Sequence, residues 1–308
     1  MIINIILLFV GLVFLVKFSN FTIKNAVKFS YLTGISNMTI GFIIIAILTS
    51  LPEFTIGIIS SFKGEGLLSI GNIIGANISN LALILGIVSL VGFHFKKNDA
   101  IQTQKILIVT TIIAVFMLIL RTVNYVFGIF LLIMFYIFSK ALIKDGIKVK
   151  ERAGGLRSIE STKTLLYLIV SVAFVIVSAK IVTDSSISLA YGIGVAESVI
   201  GATILSIGTT MPELSIALAA VRKKNIELAI GDTIGSILAN LTLVLGAVTL
   251  INPIITGYIE IAGFVMLILI NLLFLFLTTQ KSFGKNEGIL LMATYAVYLS
   301  AMLYLGAL

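Results

Sequence analysis

Stretches of about 20 apolar residues recur along the whole chain, and each is long enough to cross a hydrocarbon core of about 30 Å at a helical rise of about 1.5 Å per residue. Ten membrane helices are predicted, over 2–18, 33–61, 66–93, 101–120, 123–143, 163–182, 192–220, 226–251, 256–279 and 287–306. The second, third, seventh and eighth are long and interrupted. No soluble core absorbs 59% hydrophobic residues over 308 positions with 11% charged and a mean hydropathy of +1.19, so the fold class is all-α and membrane-embedded. The opening stretch Ile2–Val16 has neither a basic region before it nor a clear small-residue cleavage site after it. It reads as a retained helix rather than a signal peptide.

A net charge of +8 could suggest an anionic partner, but the charges sit between the apolar runs and serve to orient them. With the N-terminus outside, the inside loops carry Lys17, Lys24 and Lys28, then Lys96, Lys97 and Lys105, then the run from Lys140 to Lys163. Arg222, Lys223, Lys224, Lys281 and Lys285 complete the set, making 18 of 21 basic residues. Only Lys63, Arg121 and Lys180 are left outside, so the positive-inside rule predicts both termini outside. No nucleic acid or protein partner is called for; the lipid bilayer is. The polar segment 144–162, with Gly154-Gly155, reads as a cytoplasmic linker between two halves, 1–143 and 163–308.

Those halves repeat each other at a constant offset of 160 residues. Gly41, Thr49, Pro52, Glu53, Gly71, Gly75, Asn80 and Gly86 match Gly201, Thr209, Pro212, Glu213, Gly231, Gly235, Asn240 and Gly246. Aligned without gaps, 41–86 and 201–246 share 18 identities in 46 positions. Five helices per half is an odd number, so the second copy must enter the membrane in the opposite sense. An inverted repeat of this kind is the plan of secondary transporters that expose one central site alternately to each side.

Glu53 and Glu213 lie inside apolar runs, where an acid costs about 2.5 kcal/mol or more. No basic residue falls at matching depth, and a bound cation is the simplest compensating partner. Two of only three prolines, Pro52 and Pro212, directly precede these glutamates. Proline deletes a helical hydrogen bond and disfavours helix at the residue before it, freeing carbonyls about a turn back, near Thr49 and Thr209. Such broken backbone survives in lipid only where protein, a cavity or an ion satisfies it. Carboxylate and carbonyl oxygens without histidine or cysteine form a hard ligand set, suited to calcium, sodium or magnesium. In the second block of each half, glycines four apart permit close helix approach. Asn80 and Asn240 can add neutral oxygens. Asp232, where the first half has Asn72, is a third acid that fits either the site or a solvated helix end.

At these blocks the chain resembles the cation/calcium exchanger superfamily, in its prokaryotic sodium/calcium exchanger branch. The signatures are Thr49-Ser-Leu-Pro-Glu53 with Gly71-Asn-Ile-Ile-Gly75, and Thr209-Thr-Met-Pro-Glu213 with Gly231-Asp-Thr-Ile-Gly235. The resemblance implies a calcium site made by Glu53 and Glu213 with backbone carbonyls at Thr49 and Thr209, and sodium at overlapping positions. Ser50, Thr210, Asn80, Asn240 and Ser236 match polar positions lining those sites. Three positions depart from the pattern: Ala76 where serine is frequent, Asn240 where some relatives, including potassium-dependent ones, have aspartate, and Asp232 where asparagine is more common.

The leading functional expectation is sodium/calcium antiport by alternating access. The runner-up couples calcium or another divalent cation to protons, which compete for the same carboxylates. A cation channel using the acids as a selectivity element comes third. An enzyme is disfavoured, because there is no cysteine and no nucleophile, base and orienting group recur together. No cofactor is expected, calcium and sodium being substrates. His94, Glu197 and Glu260 fall near helix ends and read as boundary residues.

Overall fold

The computed structural model describes residues 2–62, 64, 66–94, 97–146, 156–192, 206–280 and 282–306. Helix α1 runs over Ile2–Thr33. Helix α2 covers 37–49, with a π-helical turn at Gly41–Ile45 between the α-helical pieces Asn37–Ile40 and Ala46–Thr49. The Ser36 hydroxyl starts it by accepting from Thr39 N–H at 3.1 Å. Helix α3 is Leu51–Phe62, and α4 covers 66–89 with a second π turn at Ser79–Ile84. Then follow α5 (Lys97–Leu120), α6 (Tyr125–Gly146), α7 (Leu156–Gly192), α8 (Ser206–Thr209) and α9 (Met211–Arg222). Helix α10 covers 226–251 with a π turn at Asn240–Val244, and α11 (Tyr258–Thr279) and α12 (Lys285–Gly306) complete the chain.

The protein is a multi-pass membrane protein. Among the described residues, eight spans are long and apolar enough to cross a bilayer; α12, at 22 residues, is a further helix where the tenth span is expected. The expected seventh span, 192–220, lies partly outside the described residues, and its described part is α8 and α9. Helices α4 and α10 are enclosed by protein, whereas α1 and α6 turn large side chains such as Phe9, Val13, Val126 and Tyr136 outward. In lipid that outward face is the solvated one.

Three expected boundaries move by more than five residues, one of them the end of α7, which lies at Gly192 and not at 182. The first helix continues to Thr33 instead of ending at 18, and α7 begins at Leu156, inside the expected linker 144–162. The reason is that the two helices lie against each other well beyond the apolar stretch. Ser19, Thr22, Ile23 and Ala26 are buried at helical spacing. Thr22 bonds Ser171 at 3.0 Å, and Lys28 pairs with Glu160 at 2.8 Å. A basic stretch beyond the expected span thus stays helical because a partner helix lies along it.

Short antiparallel ribbons tie distant connections together. Strand β1 (Phe93–His94) pairs with β4 (Ser282–Phe283), and β2 (Thr122–Val123) with β3 (Ile254–Ile255). Shifting 93–94 and 282–283 by the repeat offset of 160 lands on 253–254 and 122–123, so each ribbon is the other's repeat image to within one residue. Glycine contacts obey the same exchange. A Cβ on Gly86 would stand 3.2 Å from the carbonyl oxygen of Gly288, and one on Gly246 would stand 3.0 Å from that of Gly128. In both places one half lends an outer helix to the other half's core helix.

Candidate functional site

The centre of the molecule is where the four interrupted segments meet. Helix α2 ends at Thr49, Ser50 leaves helical geometry at φ −76°, ψ 3°, and α3 restarts with Pro52 and Glu53 in its first turn. The second half copies this: Thr210 sits at φ −88°, ψ 3°, and α9 restarts with Pro212 and Glu213. Because proline has no N–H, the bonds that would reach back to the carbonyls of Leu48 and Gly208 are missing, and each helix bends there. The sequence expectation of paired breaks at 49–53 and 209–213 is met.

All ten sequence-predicted site residues are buried: Thr49, Ser50, Glu53, Asn80, Thr209, Thr210, Glu213, Asp232, Ser236 and Asn240. Close helix contact brings several of them together. A Cβ on Gly41 would stand 2.7 Å from Asp232 N and 2.8 Å from the Leu228 carbonyl, and one on Gly235 would stand 2.5 Å from the Phe42 carbonyl. Only glycine allows α2 and α10 to lie backbone to backbone here. Gly71, the repeat partner of Gly231, has nothing within 4 Å of that position, and Gly201, the counterpart of Gly41, lies outside the described residues.

This approach lets Thr49 donate to Asp232 Oδ1 at 3.1 Å and lie 3.4 Å from Ser236 Oγ, which in turn donates to Glu213 Oε1 at 3.4 Å. In the repeat image, Thr209 donates to Asn72 Oδ1 at 3.2 Å. Thr49 and Thr209 are equivalent positions, as are Asn72 and Asp232, so the threonine at each helix break reaches the same position in the opposite half. Asp232 therefore belongs to the central cluster and not to a solvated helix end. Asn240 donates to Asn77 Oδ1 at 3.4 Å, joining α10 to α4. Ser50 and Thr210 fill the breaks themselves, and Thr210 bonds back to the Ile207 carbonyl at 3.1 Å.

Several polar atoms remain without partners. Both carboxylate oxygens of Glu53, Oε2 of Glu213, Oδ2 of Asp232, the Ser50 hydroxyl, the Asn80 amide and Asn240 Oδ1 are buried with no hydrogen-bond partner. No lysine or arginine whose side chain is described is buried. Three buried acids without a basic partner are costly unless a cation offsets them. Also among the described residues, no three acidic or histidine side chains converge as a metal cluster. A cation here must therefore draw on hydroxyl, amide and carbonyl oxygens as well, as hard cations do.

Sequence reasoning missed Asn77 and gave Asn72 no role beyond its mismatch with Asp232. The offset held the clue to Asn72, whose repeat partner is an acid; Asn77 has Ile237 as its counterpart and no such signal. The π turns at Ser79–Ile84 and Asn240–Val244 were also unforeseen. They occupy repeat-related positions and carry Asn80 and Asn240, in keeping with the tendency of π turns to mark functional sites. Glu260 caps α11 by accepting from Gly257 N–H at 3.0 Å, as a boundary residue should. Glu197 lies outside the described residues.

Comparison with known proteins places this architecture. The family model described as sodium/calcium exchanger protein matches residues 3–144 and 163–304. The chain is 27% identical to the sodium/calcium exchanger MaX1 of Methanosarcina acetivorans, over 98% of this chain and 99% of that one. It is 28% identical to the inner membrane protein YrbG of Escherichia coli, over 97% and 96%. Among solved structures, the sodium-calcium exchanger NCX_Mj soaked with sodium and strontium superposes with a TM-score of 0.84 at 26% identity, covering 97% of this chain and 99% of that one. With both halves matched and the fold shared along nearly its full length, the chain belongs to the sodium/calcium exchanger family, in the prokaryotic branch of the cation/calcium exchanger superfamily.

Proposed function

We propose that the protein exchanges calcium for sodium across the membrane by alternating access. The observation that carries this reading is the pair of fully buried glutamates, Glu53 and Glu213, set at repeat-related helix breaks with three of their four carboxylate oxygens unpartnered. Two carboxylates balance one divalent cation. The Thr49 and Thr209 carbonyls, the Ser50, Thr210 and Ser236 hydroxyls, and the Asn80 and Asn240 amides can complete a set of six to eight oxygens. Sodium ions at overlapping positions neutralise the same acids, so either load offsets the charge of the two glutamates. The interchange of the two ribbons and of the two threonine contacts by one offset supports an inverted repeat, the symmetry by which one packing becomes its mirror-facing alternative. The charge distribution supports both termini outside, with 144–162 on the cytoplasmic side.

The test is calcium-45 uptake into proteoliposomes preloaded with sodium, potassium or choline, with the pH gradient collapsed and the potential clamped. Uptake is expected only with internal sodium. Uptake indifferent to sodium but restored by an imposed proton gradient replaces this reading with proton-coupled exchange. Glu53→Gln and Glu213→Gln are each expected to reduce sodium-dependent uptake to background, and calcium transport surviving in both single variants removes the glutamates from the mechanism.

A further inference from the structure

The two halves differ at one charged position in the site: Asp232 in the second half faces Thr49, whereas its counterpart Asn72 in the first half faces Thr209. We infer that Asp232, with the Thr49 and Ser236 hydroxyls, forms a third cation position that takes a monovalent ion such as sodium or potassium, occupied together with calcium. The inference rests on the exchanger reading above and adds an ion to its calcium-loaded state.

Charge is the first argument. Glu53, Glu213 and Asp232 are all fully buried, and no lysine or arginine whose side chain is described is buried. Calcium offsets two negative charges and leaves one. A site that changes its exposure across the membrane with a net charge pays for it in hydrocarbon, so the remaining carboxylate needs a single positive charge.

Geometry argues that the charge is a cation with several oxygens around it. Asp232 Oδ1 already accepts from Thr49 at 3.1 Å, while Oδ2 has no partner. A proton on Oδ2 would become a buried donor with nothing to receive it, and an unsatisfied buried donor is costly. A metal ion instead takes up that oxygen beside the Thr49 hydroxyl, and the Ser236 hydroxyl lies 3.4 Å from that of Thr49. Ser236 also donates to Glu213 at 3.4 Å, so the position is adjacent to the calcium carboxylates while having its own acid. The first half offers no such position, since Asn72 contributes an amide and no charge. One carboxylate with hydroxyls is a weak set for a divalent ion and a sufficient one for a monovalent ion.

The experiment is equilibrium calcium-45 binding to the full chain in lipid nanodiscs, wild type and Asp232→Asn, in choline with increasing lithium, sodium or potassium. In the wild type, at least one of the three ions is expected to tighten calcium binding about tenfold before higher sodium displaces it. Asp232→Asn is expected to bind calcium in choline alone and to lose the tightening phase, leaving only competition. Wild-type binding that falls monotonically with all three ions overturns the inference, even if the variant fails to fold. Tightening on acidification in choline, lost in Asp232→Asn, overturns it in favour of a proton. Wild-type protein that binds no calcium in any medium removes the exchanger reading itself, an outcome distinct from the other two.

Discussion

Gly41 and Gly71 look alike in the sequence, each a helical glycine in a repeated block, but their surroundings differ. A methyl group on Gly41 must push against Asp232 N and the Leu228 carbonyl at 2.7 and 2.8 Å, both backbone atoms that cannot rotate away. Gly41→Ala is therefore expected to cost about 1–3 kcal/mol by overpacking. It should also loosen the Thr49–Asp232 contact. Gly71→Ala meets nothing within 4 Å and gains helix propensity, so it should be neutral or stabilising by up to about 1 kcal/mol. The fraction of detergent-solubilised protein that stays monodisperse after heating measures both, and equal losses in the two variants would contradict the asymmetry. At this scale the buried acids were legible in the sequence, because an acid after a proline inside an apolar run is chemically conspicuous at 53 and again at 213. Whether a glycine packs or stands free was not legible, since it depends on a partner backbone nearly two hundred residues away, as Gly41 depends on Asp232.

Among the elements, the π turn at Ser79–Ile84 carries Asn80 and is pinned from outside by α12, where Ser79 Oγ donates to Tyr295 at 3.1 Å. The second half lacks this pin: the counterpart of Ser79 is Ala239, and Phe135 stands 160 residues before Tyr295. Tyr295→Phe leaves the buried Ser79 hydroxyl without its partner and should cost about 1 kcal/mol. Ser79→Ala should cost a similar amount, and the double variant no more than either alone, because both remove one interaction. Fully additive losses in the same heating assay would show that the two side chains act separately. The turn itself was invisible in the sequence, because an extra residue in a helical turn changes no composition and Ser79–Ile84 reads as ordinary apolar helix. The continuation of α1 to Thr33 was hidden differently. Lys17, Lys24 and Lys28 suggest an end to the span, but the face formed by Ser19, Thr22, Ile23 and Ala26 determines that the chain remains a helix.

Over the whole molecule, two kinds of observation agree without sharing a cause. Positive charge assigns 93–94 and 282–283 to the cytoplasmic side and 122–123 and 254–255 to the outer side, and backbone pairing joins β1 to β4 and β2 to β3. Each ribbon thus links connections expected on one face, and the 160-residue offset carries one ribbon onto the other. The all-helical, multi-pass character was readable from the sequence because lipid leaves few alternatives to long apolar helices, and the charge pattern adds an expectation of sidedness. Labelling tests it directly. The chain has no cysteine, so single-cysteine variants report without background. Thr122, Ile255, Arg222 and Gln280 are all exposed. Thr122→Cys and Ile255→Cys should react with an impermeant maleimide on intact cells, and Arg222→Cys and Gln280→Cys only after permeabilisation. A complete reversal of that pattern would turn the molecule over in the membrane while keeping both ribbons. Labelling of Thr122→Cys and Ile255→Cys from opposite sides would instead break the β2–β3 pairing, and with it the inverted plan on which the exchange mechanism depends.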